Sequence, residues 1–185
     1  MKKIITLIIL IGVLFANSYD KSFYKLPKKS QMYVKEFNEE LSISQQQTIY
    51  WAYKTGELYD LKWTLSAIAW KESFGGLVKV NLFDGKYGSC GIFMNNLETV
   101  LTTSNIKITK WNLNKICTQL VDNPEYSLIE ATKVIRHYQK YCHNNWLCIW
   151  AHYNGGYAHP NYKYAKDIWY RIQAIKYLFK RDNNE

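Results

Sequence analysis

The sequence predicts a mainly α-helical single domain with one small β-hairpin, and three observations lead to that fold class. The chain has 185 residues, a length typical of one domain. Hydrophobic residues make up 48% of the chain, which is enough to form a core. The chain contains only three prolines and nine glycines. Apolar residues recur at helical spacing through most of the chain, and the alternation of apolar and polar residues that is typical of a β-strand occurs in one short stretch.

The first 18 residues have the layout of a secretory signal peptide. Lys2 and Lys3 precede an apolar run at residues 4–15, and a small-residue cleavage site follows at 16–18. The run is too short for a stable membrane-spanning helix, which needs about 20 residues. We therefore predict an exported protein that begins near Tyr19; an uncleaved N-terminal anchor is the alternative.

The helices are predicted in order along the rest of the chain. Residues 19–42 lack a clear period and are expected to form a loose N-terminal arm with one helix near Gln31–Glu40. Residues 43–182 are expected to form the domain itself. Its apolar periodicity and capping residues predict helices at Ser44–Lys54, at Trp63–Phe74, once or twice within 91–120, from the Asn123 cap and Pro124 onward, at Trp146–Tyr153 and at Tyr164–Lys180.

The hairpin is predicted directly after the helix that ends at Phe74. Gly75 and Gly76 are expected to end that helix, and residues 77–82 alternate as a β-strand does. Asp84-Gly85 is a turn signal, so Lys86-Tyr87 is expected to return as a second short strand.

The charge of the chain favours an anionic partner. The formal net charge is +9, and loss of Lys2 and Lys3 with the signal peptide would leave +7. An exported protein rarely meets nucleic acid, so we expect a cell-envelope polymer instead. Aromatic residues make up 16% of the chain, and their amphipathic faces suit a groove that binds sugars.

The four cysteines, Cys90, Cys117, Cys142 and Cys148, make disulfides possible in an exported chain. Three pairings are open, and Cys142–Cys148 is preferred because only a short polar turn separates the two residues. Free buried thiols are the alternative. Neither a Cys-x-x-Cys pattern nor clustered histidines occur, so we predict no metal and no cofactor. A Cys–His hydrolase built on Cys90 is disfavoured, because an exported thiol oxidises or pairs.

Glu72 is a carboxylate on an apolar helix face. Leu65, Ile68 and Ala69 form a stripe on the helix Trp63–Phe74, and Glu72 continues it at i+7 from Leu65. Burial and the negative end of the helix dipole should both raise the pKa of this carboxyl. A carboxyl that is protonated near neutral pH can act as a general acid. The alternative is a glutamate that extends to water at the helix end.

Four short motifs surround this residue in sequence order. They are Glu72-Ser73-Phe74-Gly75-Gly76, Gly91-Ile92-Phe93-Met94, Ala151-His152-Tyr153-Asn154-Gly155-Gly156 and Tyr164-Ala165. Together they resemble the motifs of the lytic transglycosylase family with the soluble-transglycosylase (SLT), lysozyme-like domain, over about residues 43–175. The resemblance implies a lysozyme-like α+β fold with a dominant helical part.

The resemblance also implies roles for individual residues. Glu72 falls on the family's single catalytic acid/base, and Ser73 on the serine that orients the glutamate or the substrate. Tyr153 and Asn154 fall on residues that line the cleft, and Tyr164 on a tyrosine near the catalytic carboxyl.

The chain departs from the family pattern at three positions. Met94 stands where the family usually has glutamine, so the sugar-binding amide is either lost or supplied by Asn95 or Asn96. His152 and Gly155 each replace an alanine.

The expected reaction is cleavage of the β-1,4 bond between N-acetylmuramic acid and N-acetylglucosamine in peptidoglycan, with formation of 1,6-anhydromuramoyl ends. A hydrolytic lysozyme that uses Glu72 and Asp84 is the alternative, since ordinary glycosidases need two carboxyls. A third hypothesis is an inactive glycan-binding or scaffold protein. We expect a monomer whose partner is the glycan strand; general wall remodelling and a role in a secretion or pilus assembly both stay open.

Overall fold

The computed structural model describes residues 19–180, so the predicted signal peptide at 1–18 lies outside the described residues. Within that range the prediction of a mainly helical fold with a small β element is confirmed. The helices are α1 (Lys28–Glu39), α2 (Ile43–Gly56), α3 (Lys62–Ser73), α4 (Leu97–Thr103), α5 (Lys110–Asp122), α6 (Pro124–Tyr141), α7 (Trp146–Gly155) and α8 (Tyr162–Leu178). The strands are β1 (Val80–Asn81), β2 (Ser89–Cys90) and β3 (Asn95–Asn96).

Helix α3 lies at the centre of the main core. Its stripe residues Leu65, Ile68 and Ala69 are fully buried, and α3 packs against α2 and α8. The helix ends where Phe74 adopts a left-handed conformation with φ of 50° and its amide donates to the carbonyl of Ala69. The apolar period therefore places the helix as predicted, but Phe74 ends it one residue before the glycines.

Residues 19–42 do not form a loose arm. Helix α1 buries Tyr33, Val34 and Phe37 in the main core and packs along α8. The indole of Trp70 on α3 donates to Glu36 at 2.8 Å, which ties α1 to the central helix. A short mixed segment without a visible period can thus still be structural, and the domain boundary at residue 43 stays a prediction.

The predicted hairpin is present but shifted along the chain. Strand β1 is two residues long, and its partner is Ser89–Cys90 instead of Lys86–Tyr87. A third strand, β3, which was not predicted, pairs antiparallel with β2 and completes the order β1-β2-β3. Two-residue strands carry too few side chains for an alternating pattern to reveal them.

A second, smaller core lies beside the sheet. Helices α4 and α5 pack on β2 through six buried side chains, Cys90, Leu97, Val100, Leu101, Ile116 and Leu120. A disulfide between Cys90 and Cys117 closes this unit, with an S–S length of 1.99 Å. The molecule therefore has two packed groups of elements, and the sheet lies between them.

Asparagine side chains cap the N-termini of four of the helices. Asn96, Asn123, Asn145 and Asn161 each accept a hydrogen bond from a backbone amide in the first turn of the following helix. The cap at Asn123 with a proline after it was predicted. No helix among residues 19–180 has both the length and the apolar character that crossing a membrane requires.

Candidate active site

A cleft of about 300 Å³ lies between the central helix α3, the small sheet and the facing helices α6 and α7. Both packed groups of elements contribute to its walls. The lining residues are Glu72, Asp84, Met94, Asn95, Asn96, Thr99, Val100, Val134, Tyr138, His152, Tyr153, Asn154, Gly155 and Gly156. Residues from five separate stretches of the sequence thus meet at one site.

Glu72 occupies the last turn of α3 and opens onto this cleft. Its Oε1 atom is buried and has no hydrogen-bond partner among the described residues. A buried carboxylate oxygen without a partner is costly when it is charged. The arrangement therefore favours the protonated form.

Burial raises the pKa of Glu72 from the ordinary 4.5 to about 7. The nearby hydroxyl of Tyr164 and the ammonium of Lys71 lower it, and the negative charge of Asp84 raises it slightly. Desolvation is the largest of these effects, in agreement with the sequence argument. Near neutral pH the group can donate a proton and can take one back.

Two tyrosines lie beside the carboxyl. The Tyr153 hydroxyl donates to the carbonyl of Phe93 at 2.9 Å, which links α7 to the loop between β2 and β3. The Tyr164 hydroxyl is buried and makes no hydrogen bond of normal geometry with any described residue, although it lies near enough to Glu72 to affect its pKa. Burial and the adjacent Glu72 raise the pKa of both phenols well above 10, so both stay protonated.

Ser73 does not line the cleft. Its hydroxyl donates to the carbonyl of Ala69 at 2.9 Å and accepts from the amide of Gly76 at 2.9 Å. Both bonds lie within the turn that ends α3, so the Ser73 hydroxyl is already hydrogen-bonded to the backbone. The role of Ser73 in orienting Glu72 or the substrate stays a prediction, and its hydrogen bonds fix the turn next to Glu72.

Met94 and Asn95 both line the cleft, on the turn that leads into β3. Met94 has a left-handed backbone with φ of 47°. Asn95 is buried, and its amide nitrogen donates to the backbone carbonyl and to the hydroxyl of Ser127 at 3.0 and 2.8 Å. These bonds orient the amide, and Oδ1 is left buried without a partner among the described residues. Asn95 thus holds a fixed amide at the wall of the cleft.

The motif on α7 contributes one exposed and one buried polar side chain to the wall of the cleft. Asn154 is exposed and accepts a hydrogen bond from the side chain of Asn161 at 2.8 Å. His152 is buried, its Nδ1 lies 2.7 Å from the carbonyl of Gly156, and its ring stacks on Tyr138. The histidine that replaces the family's alanine therefore fills the space between α6 and α7.

Asp84 also lines the cleft but in a different environment from Glu72. It is exposed on the hairpin loop, and its carboxylate accepts a hydrogen bond from the hydroxyl of Ser89. The Asp84 carbonyl accepts from the amide of Gly88 at 2.9 Å, as expected for a turn residue. The site therefore has one buried and one exposed carboxyl.

The cysteines form two disulfides, which leaves none of them free among the described residues. Cys142–Cys148 is the pairing that the sequence favoured. Cys90 is bonded to Cys117, so a nucleophilic Cys90 thiol is excluded. Cys142, Cys148 and His152 lie within 4.8 Å of one another, but sulfurs joined in a disulfide are not thiolate ligands.

The sequence did not identify every lining residue. Tyr138 on α6 borders the cleft, as does Val134 one turn earlier, and neither was predicted as a site residue. No motif in the sequence indicated Thr99 and Val100 on α4 as site residues. Only the packing of the second core against α6 brings these residues to the site.

A comparison with models of known protein families matched the transglycosylase SLT domain over residues 49–175. The match covers more than two thirds of the chain and includes every residue that lines the cleft. No curated protein and no solved structure gave a match.

Proposed function

Because the chain belongs to the transglycosylase SLT domain family, whose members act on peptidoglycan, we propose that it is a lytic transglycosylase. The bond cleaved is the β-1,4 link between N-acetylmuramic acid and N-acetylglucosamine. The product carries a 1,6-anhydromuramoyl end. The observation that carries this proposal is the buried carboxyl of Glu72 in the cleft, with a pKa of about 7.

Glu72 serves as acid and then as base in the proposed reaction. The protonated carboxyl donates its proton to the glycosidic oxygen as the bond from that oxygen to C1 breaks. The 6-hydroxyl of the muramoyl residue then bonds to C1, and the Glu72 carboxylate takes the hydroxyl proton. The carboxyl ends the cycle protonated, so no second carboxyl and no water are needed.

The surrounding residues support this sequence of steps. The unpartnered Glu72 Oε1 and Tyr164 hydroxyl are two polar atoms in the site that lack a protein partner among residues 19–180. We infer that Tyr164 donates to the Glu72 carboxylate while it is charged, which limits the cost of ionisation after the first step. Asn95 Oδ1 supplies an acceptor for a substrate hydroxyl or amide, in place of the glutamine that Met94 replaces.

A hydrolytic lysozyme is the second candidate, and the position of Asp84 favours it. Asp84 lines the same cleft as Glu72 and is exposed. An exposed aspartate can activate a water or stabilise a cationic intermediate, as two-carboxyl glycosidases require. Its hydrogen bond from Ser89 and its turn geometry fit a structural role equally well.

The place of action follows from the substrate. Peptidoglycan lies outside the cytoplasm, so we propose export through the signal peptide at residues 1–18. The proposed partner is a glycan strand bound by a monomer, without nucleic acid. General wall remodelling and service to a secretion or pilus assembly are both compatible with this cleft.

Digestion of purified peptidoglycan with the wild-type protein, Glu72→Gln and Asp84→Asn tests the proposal, with the products identified by mass spectrometry. We expect anhydro ends from the wild type and a loss of roughly 10²–10⁴-fold in Glu72→Gln, because the amide cannot transfer the proton. Asp84→Asn should keep most of the activity. Reducing ends together with an inactive Asp84→Asn would establish the lysozyme instead, and glycan binding without any cleavage would establish the inactive protein.

A further inference from the structure

The segment between α3 and β2 exposes an unusual amount of apolar surface. Six large side chains within ten residues are solvent-exposed: Phe74, Leu77, Val78, Val80, Leu82 and Phe83. We call this set the apolar hairpin. Its tip is the most exposed part, with Leu82 at 70% and Phe83 at 97% of their full accessibility. Isolated exposed apolar residues are normal, but a concentrated group marks an interaction surface.

The fold holds the apolar hairpin in place without covering it. Strand β1 pairs with β2, and the amide of Gly91 donates to the carbonyl of Lys79 at 2.8 Å. At the tip, the Phe83 amide donates to the side chain of Asn81 at 3.1 Å. Neither of the two hydrophobic cores of the described chain includes any of the six side chains. Their exposure is therefore a property of a hydrogen-bonded turn.

Two lysines lie within or just after the apolar hairpin, and one exposed acid, Asp84, directly follows Phe83. Residues 73–83 contain no acid, and Lys79 and Lys86 make no ion pair within the described part of the chain. Lys79 lies between Val78 and Val80 in the chain and is half-buried. Asp84, the nearest acid after the tip, accepts a hydrogen bond from Ser89.

We propose that the apolar hairpin binds the surface of an anionic lipid bilayer, with Leu82 and Phe83 entering the boundary between headgroups and acyl chains. Phenylalanine and leucine beside lysine are the residue types that segments at such interfaces use. Each lysine near an anionic surface adds electrostatic attraction that salt weakens. The net charge, +9 for the whole chain and +7 without Lys2 and Lys3, favours the same partner.

The binding would also orient the cleft. Asp84 follows Phe83 directly in the chain and lines the cleft, so a bilayer at the hairpin tip lies near one end of the site. This consequence rests on the proposed function: the enzyme would then cut glycan strands that lie close to the membrane. The lipid binding itself requires no activity, so its test is independent of the reaction.

The test is co-sedimentation of the chain from Tyr19 onward, which lacks the predicted signal peptide, with vesicles of phosphatidylglycerol and phosphatidylcholine. We expect Leu82→Ser/Phe83→Ser to weaken binding at least roughly tenfold, since each large side chain lost from an apolar environment is worth about that factor. Leu58→Ser is the matched control, because Leu58 is 82% exposed but lies outside the hairpin. It should bind as the wild type does, and binding should fall with salt and with the share of phosphatidylglycerol.

A second measurement locates the contact with the bilayer on the chain. Brominated lipids should quench the fluorescence of a tryptophan added by Phe83→Trp, but not that of one added by Leu58→Trp. Equal quenching of both, or equal sedimentation of the wild type and the double variant, would overturn the proposal. So would a double variant that loses binding to peptidoglycan but keeps its affinity for vesicles, since the hairpin would then belong to the glycan cleft.

Discussion

The replacement Glu72→Gln should change how the stability of the protein depends on pH. In the unfolded chain Glu72 ionises near its ordinary pKa of 4.5, whereas burial raises the pKa to about 7 in the folded protein. Between these pH values the folded protein retains a proton that the unfolded chain has lost. The free energy of unfolding therefore falls as the pH rises from about 4.5 to 7, and stays lower above 7.

The size of the effect follows from the two pKa values. Their difference corresponds to roughly 3 kcal/mol, which is the cost of keeping the charged carboxylate in its site above pH 7. A glutamine at this position does not titrate, so the variant avoids that cost. Relative to the wild type, Glu72→Gln should thus be more stable at pH 8 than at pH 4.5 by up to roughly 3 kcal/mol, even though the proposed reaction predicts that it loses activity.

Urea unfolding at a series of pH values measures the difference between the two proteins. Comparison with the wild type cancels the titration of all other groups, and Glu40→Gln, which removes an exposed carboxyl outside the cleft, is the control. A difference between wild type and Glu72→Gln that stays constant from pH 4.5 to 8 would show that Glu72 is not a buried acid. The argument for general acid catalysis would then lose its physical basis.

Three further predictions concern the fold and the chain terminus. Removal of the Cys90–Cys117 disulfide, which spans 27 residues, should destabilise the protein by about 3.5 kcal/mol, and removal of Cys142–Cys148, which spans 6 residues, by about 2 kcal/mol. Chemical denaturation of the two double serine variants measures both losses, and a larger loss from the Cys142–Cys148 variant would contradict the prediction. Gly91→Ala should cost at least about 2 kcal/mol, because a Cβ there would lie 2.4 Å from the hydroxyl of Ser127 at a φ of 85°. Gly156→Ala is its control in the same unfolding assay, since a Cβ at Gly156 meets nothing within 4 Å at a φ of 64°. N-terminal sequencing of the exported protein should find a start near Tyr19, and an intact Met1 would favour an anchor instead.

The sequence alone determined most of the helices and the position of the candidate acid. The stripe of Leu65, Ile68 and Ala69 repeats at helical spacing, and it placed Glu72 on the buried face of α3 without any tertiary information. The Asn123 cap with its following proline likewise fixed the start of α6. Periodicity and capping depend on residues within one or two helical turns, so a single amino-acid sequence is enough to identify them.

Only the tertiary structure decided what surrounds the acid. Tyr164 reaches Glu72 from a helix about ninety residues away, and Asn95 gains its fixed orientation from Ser127 on α6. The Cys90–Cys117 pair and the burial of α1 against α8 also join distant segments. Such contacts depend on how helices pack, and no local pattern encodes that.

Ser73 shows why residue type by itself was not enough. The sequence could place a hydroxyl beside Glu72, but it could not show that the carbonyl of Ala69 and the amide of Gly76 would use that hydroxyl. The competition arises because α3 ends in a tight turn at Phe74, where backbone groups need partners. The sequence determined which chemical groups are present near the acid, and the folded backbone decided which of them remain free for a substrate.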